Sequence, residues 1–319
     1  MISCEKLLAG VTKPARYTGG ELNAVRKNPT DVEARIAMCF PDVYEIGMSH
    51  LGLRILYHLM NAREDTYCER AFAPWVDMEE GMRRESIPLC TLETDTPLHK
   101  MDIVAFTLPY ELSYSNLLNM LDLGGIALES TARAEGVPFV LCGGACAFNP
   151  EPLAPFVDFF AIGDGEEVTG EIIQAYIAWK KSGAPRAEFL RAAAKIEGVY
   201  VPELYEVRSG AAVPKKDAPK RVVRRVLRSL DTAFFPNTEI VPFHEIVHDR
   251  ITLEVFRGCT RGCRFCQAGY IYRPVRERGV DTLLRQADEL CACTGYEEMS
   301  LLSLSTGDYS KLSELVRAL

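Results

Sequence analysis

The stretch "VPFVLCGGACAFNPEPLAPFVDFFAIGDG" (137–165) decides the fold of the first half of the chain. It contains two apolar runs, "VPFVLCGG" (137–144) and "VDFFAIGDG" (157–165), which have the glycine-bounded pattern of buried strands. Residues 166–183, "EEVTGEIIQAYIAWKKSG", follow directly and predict a helix that Gly183 closes. The stretch therefore predicts strands that alternate with helices.

The same alternation extends toward the N-terminus. Further strands are predicted over 34–41 and 102–108, and further helices over 49–62, 77–85 and 112–123, the last with Ser113 as its cap. Alternating strands and helices are typical of a parallel sheet that is covered on both faces. We therefore predict an α/β fold whose first domain is a doubly wound, Rossmann-like parallel sheet over roughly 33–183.

The composition describes an ordinary globular protein. The 319 residues are 48% apolar and 25% charged, with a net charge of −8, so the molecule as a whole is not built to coat nucleic acid. We find no signal peptide in "MISCEKLLAG" and no apolar run near the ~20 residues that span a bilayer, so we expect a cytoplasmic protein without a membrane partner. Its eleven cysteines are then expected to be thiols, metal ligands or catalytic groups.

The segment after the first domain is β-rich and basic. Residues 198–207 and 220–227 predict the two strands of a hairpin that links two domains. Eight Lys or Arg against one Asp lie within 208–228, a pattern that indicates either a nucleic-acid contact or a solvated linker with charged edges. We favour the linker, because no aromatic residues are interleaved for base stacking.

A second run of strands and helices begins near residue 251. Strands are predicted over 251–256 and 298–305, and helices over 281–295 and 311–319. Two β/α units cannot close a barrel or bury both faces of a parallel sheet. We therefore interpret this region as the first part of a β/α (partial TIM) barrel and expect the natural chain to continue beyond Leu319.

The loop "RGCTRGCRFCQAG" (257–269) carries Cys259, Cys263 and Cys266 with C-x3-C-x2-C spacing. Three cysteines hold three corners of a [4Fe–4S] cluster and leave one iron open, whereas a structural zinc site needs a fourth ligand. Candidates for that fourth ligand are Cys291, Cys293, His244 and His248. Glycine and arginine fill the loop at Gly258, Gly262, Gly269, Arg257, Arg261 and Arg264. Glycine lets backbone wrap closely around a cluster, and arginine balances its negative charge.

A C-x3-C-x2-C loop directly after the first strand of a β/α barrel resembles the radical S-adenosylmethionine (SAM) enzymes. The resemblance implies a [4Fe–4S] cluster on Cys259, Cys263 and Cys266. It also implies SAM on the open iron and cleavage of SAM to a 5′-deoxyadenosyl radical. The residues that it assigns to SAM are Phe265 and Gln267 in the loop, and, by position only, Ser303, Ser305, Gly307 and Asp308 in "SLSTGDY" (303–309).

The sequence "HEIVH" (244–248) matches the zinc-protease pattern H-E-x-x-H, with His244, Glu245 and His248 in the key positions. That motif works only on a helix, where both histidines share one face. Pro242 precedes it and a strand follows almost at once, so we predict no helix there. A zinc metalloprotease is therefore a minor alternative.

Small polar residues collect at the carboxyl ends of the predicted strands of the first domain, where open α/β sheets bind ligands. "CGGACAFNPEPLAPFVDFFAIGDGEE" (142–167) resembles the cobalamin-binding domain that precedes many radical SAM barrels. The resemblance implies cobalamin contacts at Ser49, His50, Gly52, Thr107, Gly143, Gly144, Gly163 and Gly165. The D-x-H-x-x-G motif of that domain is not met, because Met48 and Leu53 replace its Asp and Gly.

Taken together, the chain resembles the amino-terminal portion of an uncharacterised family of radical SAM proteins with a B12-binding-type domain. We expect an extension over 1–32, a cobalamin-binding-like domain over 33–190, a β-rich linker over 191–245 and a truncated barrel over 246–319. The implied partners are SAM, a reductant such as flavodoxin or ferredoxin, and a substrate of RNA or protein that is methylated or thiomethylated. The alternative is a non-enzymatic module that senses cobalamin or an iron–sulfur cluster.

Overall fold

The computed structural model describes residues 4–319, so residues 1–3 of the predicted N-terminal extension lie outside the described part. Contacts divide the chain into two compact units. The first holds the described residues up to Gly20 together with Val25–Arg225, and the second holds Glu21–Ala24 together with Val226–Leu319. Within residues 4–319, no helix combines the length and the apolar character that crossing a membrane requires.

The first unit is built on a six-stranded sheet with the spatial order β2-β1-β3-β4-β5-β6. Its strands are β1 Ala34–Phe40, β2 Thr66–Phe72, β3 Ile103–Thr107, β4 Phe139–Gly143, β5 Phe159–Ala161 and β6 Val199–Tyr200. All neighbours are parallel except β6, which runs antiparallel to β5. The α/β fold with a parallel sheet is confirmed. Because β1 lies between β2 and β3, the chain reverses its winding there, and such a switch point leaves a crevice for ligands.

Six α-helices accompany this sheet: α1 Tyr44–Met48, α2 Leu51–Asn61, α3 Val76–Glu85, α4 Tyr114–Leu123, α5 Gly165–Ser182 and α6 Arg186–Ala193. The helices predicted over 49–62, 77–85, 112–123 and 166–183 are confirmed, and Gly183 closes α5 with a φ of +66°. Ser113 is the N-cap residue of α4, as predicted, but its side chain makes no capping hydrogen bond, because Oγ donates to the Tyr110 carbonyl at 2.6 Å.

Strand β2 was not predicted because its sequence, "TYCERAF", carries two charges. Glu69 and Arg70 point to opposite faces of the strand, yet both side chains are fully buried. Arg35 and Thr91 bind the Glu69 carboxylate, while Arg70 Nε donates to Glu93 Oε1 at 2.7 Å. Buried charges persist only when they are paired in this way, and the partners are distant in sequence.

The predicted hairpin between 198–207 and 220–227 is wrong. Strand β7, Tyr205–Arg208, pairs instead with β8, Ala211–Pro214, and Val199–Tyr200 joins the main sheet as β6. The two residues between β7 and β8, Ser209 and Gly210, both have positive φ, as a two-residue hairpin turn requires. The "SG" dipeptide was therefore the turn signal.

Strand β4 is anchored by an aromatic cluster on the α5–α6 side of the sheet. The Phe139 ring lies 4.5 Å from that of Phe189 and 5.3 Å from that of Trp179, measured between centroids, and Tyr176 and Phe159 complete the set. Tilted and edge-to-face pairs of this kind contribute about 0.5–1.5 kcal/mol each beyond their buried area. The cluster fixes the strand that ends at Gly143.

The second unit contains β9 Ile251–Glu254, β10 Phe256–Arg257, α7 Ala268–Ile271, β11 Arg276–Glu277, α8 Val280–Thr294, β12 Met299–Leu302 and α9 Leu312–Ala318. β9 pairs in parallel with β12, and β10 pairs antiparallel with β11. Leu253, Leu283, Leu290 and Leu315 are fully buried and join the sheet to the helices. This is the strand–helix–strand–helix order predicted for the first part of a β/α barrel.

Candidate functional site

A cavity of about 160 Å³ lies against β1, β3, β4 and β5 of the first unit. Seven of the eight residues predicted to contact cobalamin line it: His50, Gly52, Thr107, Gly143, Gly144, Gly163 and Gly165. Ser49 is not among the lining residues, and its Oγ donates to the Glu45 carbonyl at 2.7 Å. The cavity thus occupies the crevice expected at the switch point of the sheet.

The wall of the cavity is mainly aliphatic. It consists of Ile36, Met38, Leu56, Met60, Ile103, Ala105, Leu141, Ile172 and Ile173, with Phe106 and Ala161. The polar lining residues are His50, Thr107 and Thr169, and none of the described lining residues is Asp, Glu, Lys or Arg. Such a wall fits an uncharged, largely apolar group that a few hydrogen bonds orient.

Glycine is required at two positions around the cavity. Gly144 has a φ of +95°, and a Cβ there would lie 2.8 Å from the Leu108 carbonyl oxygen. Gly163 has a φ of +113°, and a Cβ there would overlap the Arg225 carbonyl oxygen. Gly143 differs, since its φ is not positive and the nearest atom to an added Cβ is 3.7 Å away. A Cβ at 143 therefore makes an ordinary van der Waals contact without a clash.

His50 caps helix α2 instead of presenting both ring nitrogens to the cavity. Its Nδ1 accepts a hydrogen bond from the Leu53 backbone N–H at 3.2 Å. Burial, with a smaller contribution from the charge of Arg54, lowers the pKa of His50 to about 4. The neutral ring therefore carries its proton on Nε2, which is a donor in this tautomer.

Lowering the pH from about 6.5 to about 4 is expected to destabilise the first unit. Unfolded His50 gains a proton near pH 6.5, whereas the folded side chain does so only near pH 4, so protons favour the unfolded state in this window. His58 acts in the same direction, because burial lowers its pKa to about 4 as well. We expect His50 alone to contribute about 2 kcal/mol, measured as the change in urea unfolding free energy between these pH values.

The variant His50→Asn serves as the control for this pH dependence. Asparagine is a good N-cap residue, so the variant keeps an acceptor for Leu53 and removes the titrating ring. Its unfolding free energy should fall less steeply with acid than that of the wild type. An unchanged slope would show that His50 does not carry the effect.

The second unit presents the three predicted ligand cysteines on the loop that follows β9 and β10. Cys259 and Cys266 are half-buried, Cys263 is exposed, and all three are free thiols. Phe265, between the last two, is 94% exposed, and Gln267, also exposed, is the N-cap residue of α7. The loop therefore offers its sulfur atoms and one aromatic ring to solvent.

The start of this loop is fixed by a close backbone approach at Gly258 and by the ion pairs of Glu254. Gly258 has a φ of +103°, and a Cβ there would lie 2.7 Å from the carbonyl oxygens of both Tyr272 and Pro274. Buried Glu254, at the end of β9, accepts hydrogen bonds from Arg257 at 3.0 Å and from Arg278 at 3.1 Å. Burial alone would raise the pKa of Glu254, but these two guanidinium groups lower it overall. This network was not predicted, and its only signal was an acidic residue inside an apolar strand.

The turn after β12 holds the residues assigned to SAM by position. Ser305 Oγ donates to Asp308 Oδ2 at 2.8 Å, and the hydroxyls of Ser303 and Thr306 lie 2.9 Å apart. Gly307 is open, with no atom within 4 Å of an added Cβ. Asp308 does not stand alone, because Arg261 of the cysteine loop binds its carboxylate. The structure therefore brings Asp308 to the cysteine loop.

The donor chemistry of the loop fits a thiolate-bound metal cluster. Within residues 4–319, however, no three His, Cys, Asp or Glu side chains are grouped closely enough to hold a metal, so the three sulfur atoms do not form a metal-binding group. The same finding gives no support for zinc with Cys291, Cys293, His244 or His248. Residues 244–248 contain no helix, as predicted, so the H-E-x-x-H face of a zinc protease is not formed.

Comparison with known proteins finds a matching family model and similar proteins. Residues 52–202 match the family model described as "Radical SAM proteins, N-terminal". An uncharacterized protein of Methanocaldococcus jannaschii is 25% identical over 284 residues, which is 88% of this chain and 51% of that protein. The ribosomal protein uS12 methylthiotransferase RimO of Synechococcus sp. (strain JA-3-3Ab) is 33% identical over 105 residues, 30% of this chain and 22% of that protein. The chain thus spans about half the length of the first relative and less of the second.

Two solved structures share the fold. Both are the radical S-adenosylmethionine methyltransferase TsrM from Kitasatospora setae. One, with tryptophan substrate and a SAM analog bound, has a TM-score of 0.54 at 12% identity, and the other, with cobalamin and a [4Fe-4S] cluster bound, has a TM-score of 0.53 at 14% identity. Each alignment covers 89% of this chain and 50% of TsrM.

Proposed function

We propose that the protein is a radical SAM methyltransferase or methylthiotransferase, on the premise that residues 52–202 match the family model of the amino-terminal domain of radical SAM proteins. One observation carries the proposal. Three free cysteines share one loop after the first strand of a β/α unit, and the turn after the second strand contacts that loop through Asp308 and Arg261. This arrangement offers three ligands to a cluster and a neighbouring polar turn to a cofactor.

Cys259, Cys263 and Cys266 would hold a [4Fe–4S] cluster, whose open iron binds SAM and which supplies the electron for reductive cleavage of SAM. The chain's own residues would set the environment. Arg257 and Arg261 would place positive charge in the loop that holds the anionic cluster. Buried Glu254 holds Arg257 in place through its carboxylate. Phe265 and Gln267, with Ser303, Ser305 and Gly307 of the turn after β12, would contact SAM.

The cavity of the first unit would hold cobalamin, as a TsrM structure with cobalamin bound suggests by its fold. Its aliphatic wall would receive an apolar part of the nucleotide tail, and Gly144 and Gly163 would let that tail pass close to the backbone. Thr107 and the Nε2–H of His50 supply hydrogen-bond donors at the rim. Because His50 Nδ1 already accepts from Leu53 and Nε2 carries the proton, His50 offers cobalt no free lone pair in this tautomer.

The substrate class that we propose is RNA or protein. The similarity to a methylthiotransferase named for ribosomal protein uS12 supports a macromolecular substrate. A small flavoprotein or iron–sulfur protein such as flavodoxin or ferredoxin would deliver the electron, and the protein would work in the cytoplasm.

The test is anaerobic reconstitution of the full-length protein with iron and sulfide, followed by reduction and addition of SAM. We expect about four irons per chain, brown absorbance and release of 5′-deoxyadenosine. A colourless protein that holds one zinc ion would contradict the proposal. A stable cluster that never cleaves SAM would instead favour a non-enzymatic sensor.

A further inference from the structure

The pair formed by Arg261 and Asp308 joins two segments that the sequence separates by 47 residues. Arg261 lies between Cys259 and Cys263, and Asp308 ends the turn after β12. Arg261 Nε donates to Asp308 Oδ2 at 2.6 Å, and a second guanidinium nitrogen binds Oδ1. In this bidentate geometry, the orientation of the guanidinium relative to the carboxylate is fixed as well as their distance. A single hydrogen bond would fix the distance alone.

The carboxylate is held in place from its own side. Ser305 Oγ donates to the same Oδ2 at 2.8 Å, and the Asp308 backbone N–H donates to the Ser305 carbonyl at 2.8 Å. Asp308 is therefore oriented by its own turn while it binds the arginine. These side-chain hydrogen bonds use three of about four acceptor positions of the carboxylate, which leaves little capacity for a ligand amine.

The arginine in turn belongs to the cysteine loop, two residues from Cys259 and two residues from Cys263. The neighbouring arginines have other partners, since Arg257 binds Glu254 and Arg273 Nε donates to the Cys259 carbonyl at 3.3 Å. The Asp308 pair thus reaches the middle of the loop, between its first two cysteines.

We propose that Asp308 is a positioning residue that acts on the cysteine loop through Arg261, and that it does not contact SAM. This inference rests on the proposed function, because the loop is positioned to receive a cluster. The pair restrains the loop in the metal-free protein and so reduces the conformational entropy that the loop loses when it binds a cluster. It also holds the part of the loop between Cys259 and Cys263.

The first test uses hydrogen exchange on the metal-free protein. Asp308→Asn and Arg261→Gln should each speed amide exchange in residues 258–267 by about three- to fivefold, the range open to one exposed bidentate pair. The double variant should be no faster than either single variant, because both changes break the same pair. Arg285→Gln is the matched control, since it breaks the exposed pair with Glu289 on α8 and leaves the loop alone.

The second test uses reconstituted protein and has two readouts. In the absence of SAM, both variants should lose iron to a chelator faster than the wild type by a similar factor. When SAM is then titrated, its binding should weaken equally in the two variants. If Asp308→Asn weakens SAM binding while Arg261→Gln behaves as the wild type, Asp308 contacts SAM and the inference is wrong. Faster exchange in both variants, with no cluster in the wild type, would overturn the proposed function and leave the loop–turn pair established.

Discussion

Replacing Cys263 with alanine is expected to abolish both cluster assembly and cleavage of SAM. Cys263 is the central ligand of the C-x3-C-x2-C loop and the most exposed of its three thiols. With two ligands left, the cluster loses one of its protein-held corners. We expect bound iron after desalting to fall to background and 5′-deoxyadenosine to fall at least about 100-fold, because even indirect partners of a metal site are worth 10–100-fold.

Cys291→Ala is the matched control for this experiment. Cys291 is also a free, exposed thiol, but it lies on α8, outside the loop. Its replacement should leave iron content and product unchanged. Cys263→Ala should itself unfold at the wild-type temperature before reconstitution, since an exposed side chain contributes little to the core. A brown, active Cys263→Ala protein would contradict the assignment of the three ligands.

Replacing Gly143 with leucine is expected to weaken cobalamin binding while the first unit stays folded. Gly143 lines the cavity, and its φ is not positive. An added Cβ would lie 3.7 Å from the nearest atom, which is an ordinary van der Waals contact. The leucine side chain would therefore fill space that the ligand needs. We expect binding of hydroxocobalamin, followed by absorbance titration, to weaken about 10- to 100-fold, since overpacking of this kind costs about 1–3 kcal/mol.

Two other glycine variants distinguish filling of the cavity from destabilisation of the first unit. Gly170→Ala lies within α5, where an added Cβ meets no atom within 4 Å, so this change should stabilise the helix by about 0.5–1 kcal/mol and leave binding intact. Gly144→Ala should destabilise the unit by about 1–3 kcal/mol, because its φ is +95° and Leu108 blocks the Cβ. If Gly143→Leu binds cobalamin as the wild type does, the cavity is not its site.

The fold of the first unit could be predicted because its strands carry their own signals. The runs that became β1, β3, β4 and β5 are apolar and end in proline, glycine or small residues, and burial in a parallel sheet needs little more. Strand β2 could not be found in this way, because Glu69 and Arg70 are favourable there only once Arg35, Thr91 and Glu93 pair with them. The hairpin was predicted at the wrong residues, because the "SG" turn at Ser209 and Gly210 determines that β7 pairs with β8.

By itself, the sequence determined the strand–helix order, the spacing of Cys259, Cys263 and Cys266, and the glycines at the strand ends. Each of these is a local property, since spacing along the chain fixes which side chains share a loop or a turn. Only the tertiary structure decided that Asp308 binds Arg261, that His50 caps a helix through Nδ1, and that a Cβ fits at Gly143 but clashes at Gly144. These depend on distances between segments far apart in sequence, and hydrogen bonds and steric overlap are set by such distances and not by residue type.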